Sequence, residues 1–348
     1  MSTEAPSARP QKLLVTGAAG FIGSNLVHWL LKHWPTADLL CLDALTYAGN
    51  PANLDDLRDH PRFHFIHGNI CDAGLVAELL RTGIDAVINA AAHTHVDRSL
   101  LGGDDFSGTN VGGVEVLLNA IRERAGIRFL QVSTDEVYGS LAPDVEADES
   151  TRINPQNPYS ATKAGGDLLT LAYHHSFHLD VVITRCCNNY GPYQYPEKMV
   201  PLFITNLFED KPVPLYGDGL QFRQWLHVDD HSAAIARVLE AGRSGEVYNI
   251  TSGVGLTNLE LTHRLLDLAG KSTNLIQHVQ DRPGHDRRYA VNDGKLRQDL
   301  GWRPTYDLQV GLKQTVQWYD DHRTWWRPIK SGEYRAYYNR QYGERIQC

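Results

Sequence analysis

The sequence predicts an α/β fold with a doubly wound parallel sheet and a smaller C-terminal α/β lobe. Short apolar runs alternate with helix-length stretches through the first 190 residues, which is the pattern that βαβ units produce. Five prolines between residues 192 and 214 then interrupt this rhythm. We therefore predict a disordered lead-in at residues 1–10, a first domain at 11–190 and a second lobe at 191–348, with elements that can cross this boundary.

The individual elements follow from apolar runs and from helical spacing. The predicted strands are Lys12–Thr16, Leu39–Leu42, Phe63–His67, Ala86–Asn89, Phe129–Val132 and Val181–Thr184. The predicted helices are Ser24–His33, Ala73–Arg81, Thr109–Ala125, Tyr159–His178, Ser232–Glu240 and Thr257–Leu268.

Composition excludes several classes of protein. The apolar share of 42% and the charged share of 21% are typical of a globular chain and not of a disordered one. A net charge of −8 argues against nucleic acid as the main partner. No apolar stretch approaches the ~20 residues of a membrane span. The five cysteines form no CxxC pair, so we expect no metal and a reduced, cytoplasmic protein without a membrane partner.

A glycine-rich turn joins the first strand to the first helix. Its glycines, Gly17, Gly20 and Gly23, have GxxGxxG spacing, a variant of the dinucleotide fingerprint that lets backbone N–H groups approach a pyrophosphate. Asp43 ends the second strand, 20 residues after Gly23. A carboxylate there binds a ribose diol and repels a 2′-phosphate, so the pattern predicts NAD on a Rossmann-type domain. Glycines that serve only helix–sheet packing are the alternative.

Tyr159 and Lys163 lie four residues apart on a predicted helix and project from one face. A lysine ammonium beside a phenol lowers the pKa of the phenol, so Tyr159 could exchange a proton with a substrate hydroxyl. Thr134, at the end of a strand, supplies a hydroxyl to hold the substrate oxygen. Taken alone, the pair also fits an ordinary amphipathic helix.

Together these motifs resemble the extended short-chain dehydrogenase/reductase family: TGxxGFIG, an acid that ends the second strand, a Ser/Thr strand end and YxxxK. The resemblance implies hydride transfer to and from a hydroxyl of a sugar nucleotide. The predicted cofactor-binding residues are Gly17, Gly20, Phe21, Ile22, Gly23, Asp43, Asn69, Ile70, Ala91, Tyr159 and Lys163.

Asp135 and Glu136 follow Thr134 directly, and oxidation alone has no use for them. Once C4 of a hexose is a ketone, the C5 proton is acidic and the C6 hydroxyl can leave. One carboxylate can take the C5 proton while a protonated one donates to the departing oxygen, and like charges push one pKa upward. A solvated acidic turn is the alternative.

Longer segments resemble the 4,6-dehydratases of nucleotide sugars: HVDRS, YSATKAGGD, NNYGPYQYPEKMVP, YGDGLQFRQWLHVDDH, YNI and DRPGHDRRYA. This resemblance implies that Tyr159, Thr134 and Lys163 assist oxidation at C4, that Glu136 removes the C5 proton and that Asp135 protonates the C6 oxygen. It also implies a second lobe that binds a nucleotide sugar, with dTDP-glucose as the expected substrate. The implied substrate-binding residues are His95, Asn188, Glu197, Lys198, Arg223, Asn249, Arg282 and His285.

Three positions depart from the pattern of that family. Asn69 replaces a usual acid near the adenine, and His93 replaces an acid near the entry to the site. Gln224 stands where an aspartate usually follows Arg223, so we expect Arg223 to lose an orienting carboxylate. These changes leave the predicted catalytic set intact but bear on the identity of the sugar.

Other functions and partners stay open at this point. The chain could dehydrate UDP-glucose or UDP-N-acetylglucosamine, epimerise a sugar at C4, or bind NAD without catalysis. An epimerase has no use for acids at C5 and C6, which favours dehydration. The resemblance also implies a homodimer with a four-helix interface, built from the helices near 109–125 and 159–178.

Overall fold

The computed structural model describes residues 9–102 and 105–342. Residues 1–8 of the predicted lead-in and Cys348 lie outside this range. The strands are β1 (Lys12–Thr16), β2 (Asp38–Asp43), β3 (Phe63–His67), β4 (Ala86–Asn89), β5 (Arg128–Thr134), β6 (Val181–Cys186), β7 (Asn188–Tyr190), β8 (Val213–Tyr216), β9 (Phe222–His227), β10 (Glu246–Ile250), β11 (Gly255–Thr257) and β12 (Ile276–Val279).

The helices surround these strands. They are α1 (Phe21–His33), α2 (Ala73–Leu80), α3 (Val96–Leu101), α4 (Val114–Arg122), α5 (Pro158–Phe177), α6 (Met199–Leu207), α7 (Val228–Ala241), α8 (Asn258–Ala269), α9 (Gly294–Leu300), α10 (Leu308–Asp321), α11 (Arg323–Ile329) and α12 (Glu333–Tyr342). None of the helices within the described ranges is long and apolar enough to cross a membrane.

Seven parallel strands form the central sheet, in the order β3-β2-β1-β4-β5-β6-β10. Alternate residues of β1 pack on opposite faces, since Leu13 and Val15 belong to one core and Leu14 to the other. Helices α1 and α7 contact each other on the first face, and α4 contacts both α2 and α5 on the second. The predicted doubly wound sheet is confirmed.

The chain order reverses between β1 and β4, and such a switch point opens a crevice at the carboxyl ends of the strands. The residues that follow β1, β2, β4, β5 and β6 all meet there. Strand β5 extends to Thr134, two residues beyond the predicted end, which places Thr134 at the rim of the crevice. A π-helical turn at Gly108–Gly113 leads into α4, where a continuous α-helix was predicted.

The rest of the chain forms smaller layers beside this crevice. One three-stranded sheet has the order β11-β9-β7, and β8 pairs with β12. Strand β10 joins the central sheet although it lies beyond residue 190. Elements therefore cross the predicted domain boundary, and the division at residues 190 and 191 stays a prediction.

Candidate active site

A cleft of about 330 Å³ opens at the carboxyl ends of the central strands, and a second cavity of about 150 Å³ adjoins it. The first is lined by the glycine turn, Asp43, Tyr159 and Lys163. The second is lined by charged side chains from both halves of the chain, among them Asp97, Glu136 and Arg282. Both cavities share the side chains of Glu136, Asn188, Glu197, Lys198, Met199 and Trp225.

The glycine turn forms a cradle at the start of α1. Gly17 has a φ of +66°, and a Cβ added there would lie 2.7 Å from the Ala91 amide nitrogen. A Cβ added at Gly23 would lie 2.0 Å from the Gly17 carbonyl oxygen. No side chain caps the N-terminus of α1, which has no acid in its first turn. Backbone N–H groups and the helix dipole therefore face the cleft, as a bound pyrophosphate requires.

Asp43 lies at the end of β2 beside this cradle. Its carboxylate oxygens accept hydrogen bonds from the amides of Ala19 at 2.8 Å and Leu45 at 2.7 Å. These bonds hold the carboxylate in the wall of the cleft, where a ribose diol could reach it. The remaining predicted cofactor residues line the same cleft: Gly17, Gly20, Phe21, Ile22, Gly23, Asn69, Ile70, Ala91, Tyr159 and Lys163. These residues fit NAD.

Tyr159 and Lys163 both face the cleft from α5, as their spacing predicts. The predicted lowering of the Tyr159 pKa is wrong in this structure. Burial and the charge of Glu136 raise the pKa of Tyr159, and a hydrogen bond with Thr134 only partly offsets them. The Lys163 ammonium donates instead to the Val132 carbonyl oxygen at 2.7 Å, and burial lowers the pKa of Lys163 to about 8. The spacing predicted that Tyr159 and Lys163 share a helix face, but it did not predict the hydrogen bond from Lys163 to the Val132 carbonyl oxygen.

Asp135 and Glu136 form the first turn after β5. Asp135 is 2% exposed, and one of its oxygens accepts from the Thr134 hydroxyl at 3.3 Å while the other has no partner. Burial, and then the charge of Glu136, raise the pKa of Asp135 to about 8. Asp135 is therefore protonated at neutral pH. The solvated-turn alternative is wrong, because Asp135 is buried and Glu136 is half-buried.

Glu136 lines both cavities and lies among cations. Burial raises its pKa, but Arg282, Lys198 and Arg223 oppose this shift. Its carboxylate also accepts from the Tyr289 hydroxyl at 3.5 Å. The two neighbouring acids thus have different surroundings, which suit one to donate a proton and the other to accept one.

Lys198, Arg223 and Arg282 line the second cavity, and Arg98 pairs with a residue of its wall; these four cations differ in their partners. Arg98 pairs with Glu197 at 3.0 Å, and Arg282 pairs with Asp97 at 3.1 Å. Arg223 donates to the carbonyl oxygens of Phe222 and Asp286. Lys198 donates to the Thr94 carbonyl oxygen at 2.8 Å. Because Arg223 and Lys198 have no carboxylate within salt-bridge distance in the described structure, an anionic ligand would compensate them.

Two histidines that were predicted to bind substrate line the second cavity. His95 contacts the Glu197 carbonyl oxygen at 3.4 Å, and burial lowers its pKa. His285 contacts Asp281 at 2.6 Å, and burial together with the nearby arginines lowers the pKa of His285 to about 4. Both imidazoles are therefore neutral at pH 7 and act as hydrogen-bonding groups.

Asn249 is the predicted substrate residue that lines neither cavity. Its side-chain oxygen accepts from the Tyr138 hydroxyl at 2.8 Å, and its amide group donates to the Ala147 carbonyl oxygen at 3.1 Å. It is fully buried at the end of β10. The structure therefore assigns Asn249 an internal role in holding the segments that follow β5.

The expectation that Gln224 deprives Arg223 of a carboxylate is wrong. Successive residues of β9 point to opposite faces, so Gln224 faces away from the cavity. Its oxygen accepts from the Thr251 hydroxyl and the Val291 amide, both at 2.9 Å. His93 and Asn69, the other two departures, both line the cleft.

Several residues of the cavities were not predicted from the sequence. Asp97, Tyr216, Trp225, His231 and Tyr342 line one cavity or the other. The segments quoted for the resemblance contain the first four, but no local pattern marks Tyr342, which α12 brings from the far end of the chain. Within residues 9–102 and 105–342, no cluster of His, Cys, Asp and Glu could hold a metal ion.

Comparison with known proteins agrees with this geometry. Residues 14–315 match the model of the family described as GDP-mannose 4,6 dehydratase. A dTDP-glucose 4,6-dehydratase of Streptomyces griseus is 52% identical over 91% of this chain and 96% of its own. The dTDP-glucose 4,6-dehydratase DesIV of Streptomyces venezuelae, solved with NAD and TYD bound, is 51% identical over 92% of this chain and all of its own, with a TM-score of 0.89. A UDP-glucuronic acid 4-epimerase of Bacillus cereus, 30% identical over 90% of this chain and all of its own, has a TM-score of 0.83.

Proposed function

The chain belongs to the GDP-mannose 4,6 dehydratase family, and we propose that it is an NAD-dependent hydro-lyase that converts dTDP-glucose to dTDP-4-keto-6-deoxyglucose. One observation supports dehydration over epimerisation, which shares the fold. Asp135 is buried and Glu136 is half-buried next to it, and burial raises the pKa of Asp135 to about 8, which keeps it protonated. An epimerase moves hydride and proton only at C4 and has no use for this pair.

The glycine turn and Asp43 would hold NAD, which would supply reversible hydride transfer at C4 and C6 with no net redox change. The residues of the chain handle the protons. Tyr159 takes the proton of the 4-hydroxyl, with Thr134 beside it to hold that oxygen and Lys163 below it. Since burial raises the pKa of the Tyr159 phenol, this step depends on positive charge near the ring, and Lys163 is the cation closest along α5.

Glu136 and Asp135 carry out the elimination. Glu136 removes the C5 proton, which the 4-ketone makes acidic, and Asp135 donates its proton to the C6 oxygen so that water leaves. Glu136 then returns a proton to C5. The cations Arg282, Lys198 and Arg223 favour the ionised form of Glu136 and oppose the rise in its pKa that burial causes, whereas burial raises the pKa of Asp135 to about 8. The two acids therefore begin the reaction in complementary states.

The second cavity supports a nucleoside diphosphate as the group that anchors the sugar. Arg223 and Lys198 lack carboxylate partners in the described structure, and both line this cavity beside Glu136. A pyrophosphate there would compensate them and place the sugar next to the acids. The proposed substrate ligands are His95, Asn188, Glu197, Lys198, Arg223, Arg282 and His285.

A mass-spectrometric assay tests this function. The purified protein is mixed with dTDP-glucose and UDP-glucose, and no NAD is added. We expect loss of one water from the thymidine sugar alone, which also requires that NAD stays bound through purification. Loss from the uridine sugar alone would keep the reaction and change the substrate. Loss from neither, even after NAD is added, would contradict the proposed function.

We also propose a homodimer through α4 and α5, which would form a four-helix interface with a second copy. Leu168 on α5 is 56% exposed. Val116 and Ala120 on α4 are half-buried, and α4 contacts α5. Such an apolar face is typical of a subunit interface. Leu168→Lys should convert the dimer to a monomer in sedimentation, and a wild-type monomer would contradict the proposal.

The proposed location is the cytoplasm. Its basis is the state of the cysteines, since Cys41, Cys71, Cys186 and Cys187 are all free thiols. Free buried thiols are typical of a reducing compartment. Fractionation of cells that express the tagged protein would test this, and recovery outside the cytoplasm would contradict it.

A further inference from the structure

We infer that Asp97 is a positioning residue, which holds Arg282 toward the pyrophosphate of the substrate and away from the general base Glu136. The inference rests on the proposed function, because it assigns Arg282 to a phosphate and Glu136 to proton transfer. It concerns a residue on α3, which belongs to the central-sheet side of the molecule, and an arginine in the loop between β12 and α9.

The contacts of Asp97 use both of its oxygens. One accepts from Arg282 at 3.1 Å, and the other accepts from the Tyr216 hydroxyl at 3.0 Å. The same hydroxyl accepts from the Gln341 amide group at 2.7 Å. Asp97 is 3% exposed. A carboxylate with two fixed partners in a buried site has little freedom to move, so it defines where the Arg282 guanidinium lies.

These contacts join four segments that are distant in the sequence. Asp97 comes from α3, Tyr216 from the end of β8, Arg282 from the loop after β12 and Gln341 from α12. All but Gln341 line the second cavity. The cluster therefore fixes one wall of the cavity, with Arg282 as its charged member.

Arg282 has unused hydrogen-bonding capacity. Its Nε is buried and has no partner, although a guanidinium carries five N–H donors. Burial would lower the pKa of Arg282, but Asp97 and then Glu136 raise it above its ordinary range. Arg282 therefore stays cationic between two carboxylates, and Asp97 holds it by direct contact whereas Glu136 does not.

Asp97 itself is ionised for the same reason. Burial alone would raise its pKa, but Arg282, His95 and Tyr216 hold the pKa of Asp97 below its ordinary range. If the Asp97 charge were removed, Glu136 would attract Arg282 most strongly among the remaining carboxylates, ahead of Asp286. The guanidinium would then turn toward the base, which would weaken phosphate binding and neutralise the group that takes the C5 proton.

A double-mutant cycle tests this coupling with dTDP and thymidine as probes, measured by titration calorimetry. We expect Asp97→Asn to weaken dTDP binding about tenfold, which is the size of one lost charge-assisted contact. Thymidine, which has no phosphate, should bind as it does to the wild type. In the Arg282→Gln background, Asp97→Asn should change dTDP affinity by less than about twofold, since coupled residues are not additive.

Two outcomes would overturn the inference. Additive losses in the cycle would mean that Asp97 acts without Arg282, and equal losses for dTDP and thymidine would mean a merely structural role. Asp180→Asn is the matched control, because it removes the Arg128 partner at 2.9 Å, at the opposite end of the sheet. It should leave dTDP affinity unchanged.

A second variant covers the case in which Asp97→Asn does not fold. Asp97→Glu keeps the charge, and we expect it to retain dTDP affinity within about threefold and to show the same coupling to Arg282. The binding readout is independent of turnover. If the two substitutions are coupled but the wild type does not dehydrate dTDP-glucose, the proposed function alone is contradicted. If the wild type is active but the two substitutions are additive, this inference alone is contradicted.

Discussion

The two cavities of the active site are built from different parts of the chain. Backbone groups of neighbouring elements dominate the NAD cradle, since Gly17, Gly20 and Gly23 lie between β1 and the first turn of α1, and Asp43 ends β2. Charged side chains from distant segments form the substrate cavity, such as Asp97 and Arg282, which are 185 residues apart in the sequence. A site formed by backbone groups requires that no side chains fill it. A site formed by side chains requires that particular charged residues from distant segments lie close together.

The largest effect is expected in the cradle. Gly23→Ala places a Cβ 2.0 Å from the Gly17 carbonyl oxygen, and neither backbone segment can yield easily. We expect loss of bound NAD after purification and destabilisation of about 3 kcal/mol, measured by absorbance and by denaturant unfolding. Gly74→Ala on α2 is the control and should retain NAD. Retention of NAD by Gly23→Ala would contradict the cradle.

Arg223→Gln should weaken substrate binding and leave NAD binding intact, the reverse of the effect expected in the cradle. It removes a buried cation that has no carboxylate partner in the described structure, so we expect dTDP to bind about a hundredfold more weakly. NAD retention should be unchanged, because Arg223 lines only the second cavity. Calorimetry with dTDP checks the first result and the absorbance of bound cofactor checks the second. An equal loss of dTDP affinity and of bound NAD would show that ligand binding in the two cavities is energetically coupled.

The acids between the cavities should give the reaction a pH limit. Dehydration needs protonated Asp135, whose pKa burial raises to about 8. We therefore expect kcat/KM to fall about tenfold per unit as the pH rises above about 8. Lys163, whose pKa is also lowered to about 8 by burial, titrates in the same range. The residual activity of Asp135→Asn distinguishes these two groups. If Asp135 causes the fall in kcat/KM above a pH of about 8, that fall should be absent in this variant.

The smallest effect is expected at Asn69. Its side-chain oxygen accepts from the Cys71 amide at 2.9 Å, and a carboxylate oxygen could accept the same bond. Asn69 is also exposed, so an added charge is screened by water. Asn69→Asp should therefore change NAD affinity by less than about threefold, measured on protein from which the cofactor has been removed. A larger change would mean that the asparagine at position 69 helps to set the affinity for NAD.

The difference between the cavities explains how far the sequence could predict the site. The glycine turn, Asp43, Tyr159 and Lys163 follow from spacing within one or two elements, because strand and helix periodicities fix which residues share a face. The pKa of Tyr159 could not be predicted in this way. It depends on burial and on Glu136, and both depend on how separate segments pack.

The substrate cavity required knowledge of long-range contacts. Gln224 follows Arg223 but points to the opposite face of β9, so adjacency in the sequence was misleading there. Asn249 belongs to a motif of the family, yet its polar atoms are used by Tyr138 and Ala147. Tyr342 reaches the cavity through the docking of α12, which no local pattern predicts.

The central claim is that Asp135 donates a proton to the C6 oxygen after oxidation at C4. Asp135→Asn, mixed with dTDP-glucose, tests it most directly: the absorbance of the reduced cofactor reports hydride removal from C4, and mass spectrometry reports water loss. We expect hydride removal to persist while water loss slows by at least about a hundredfold, so that reduced cofactor accumulates. Equal loss of both steps would contradict the role assigned to Asp135.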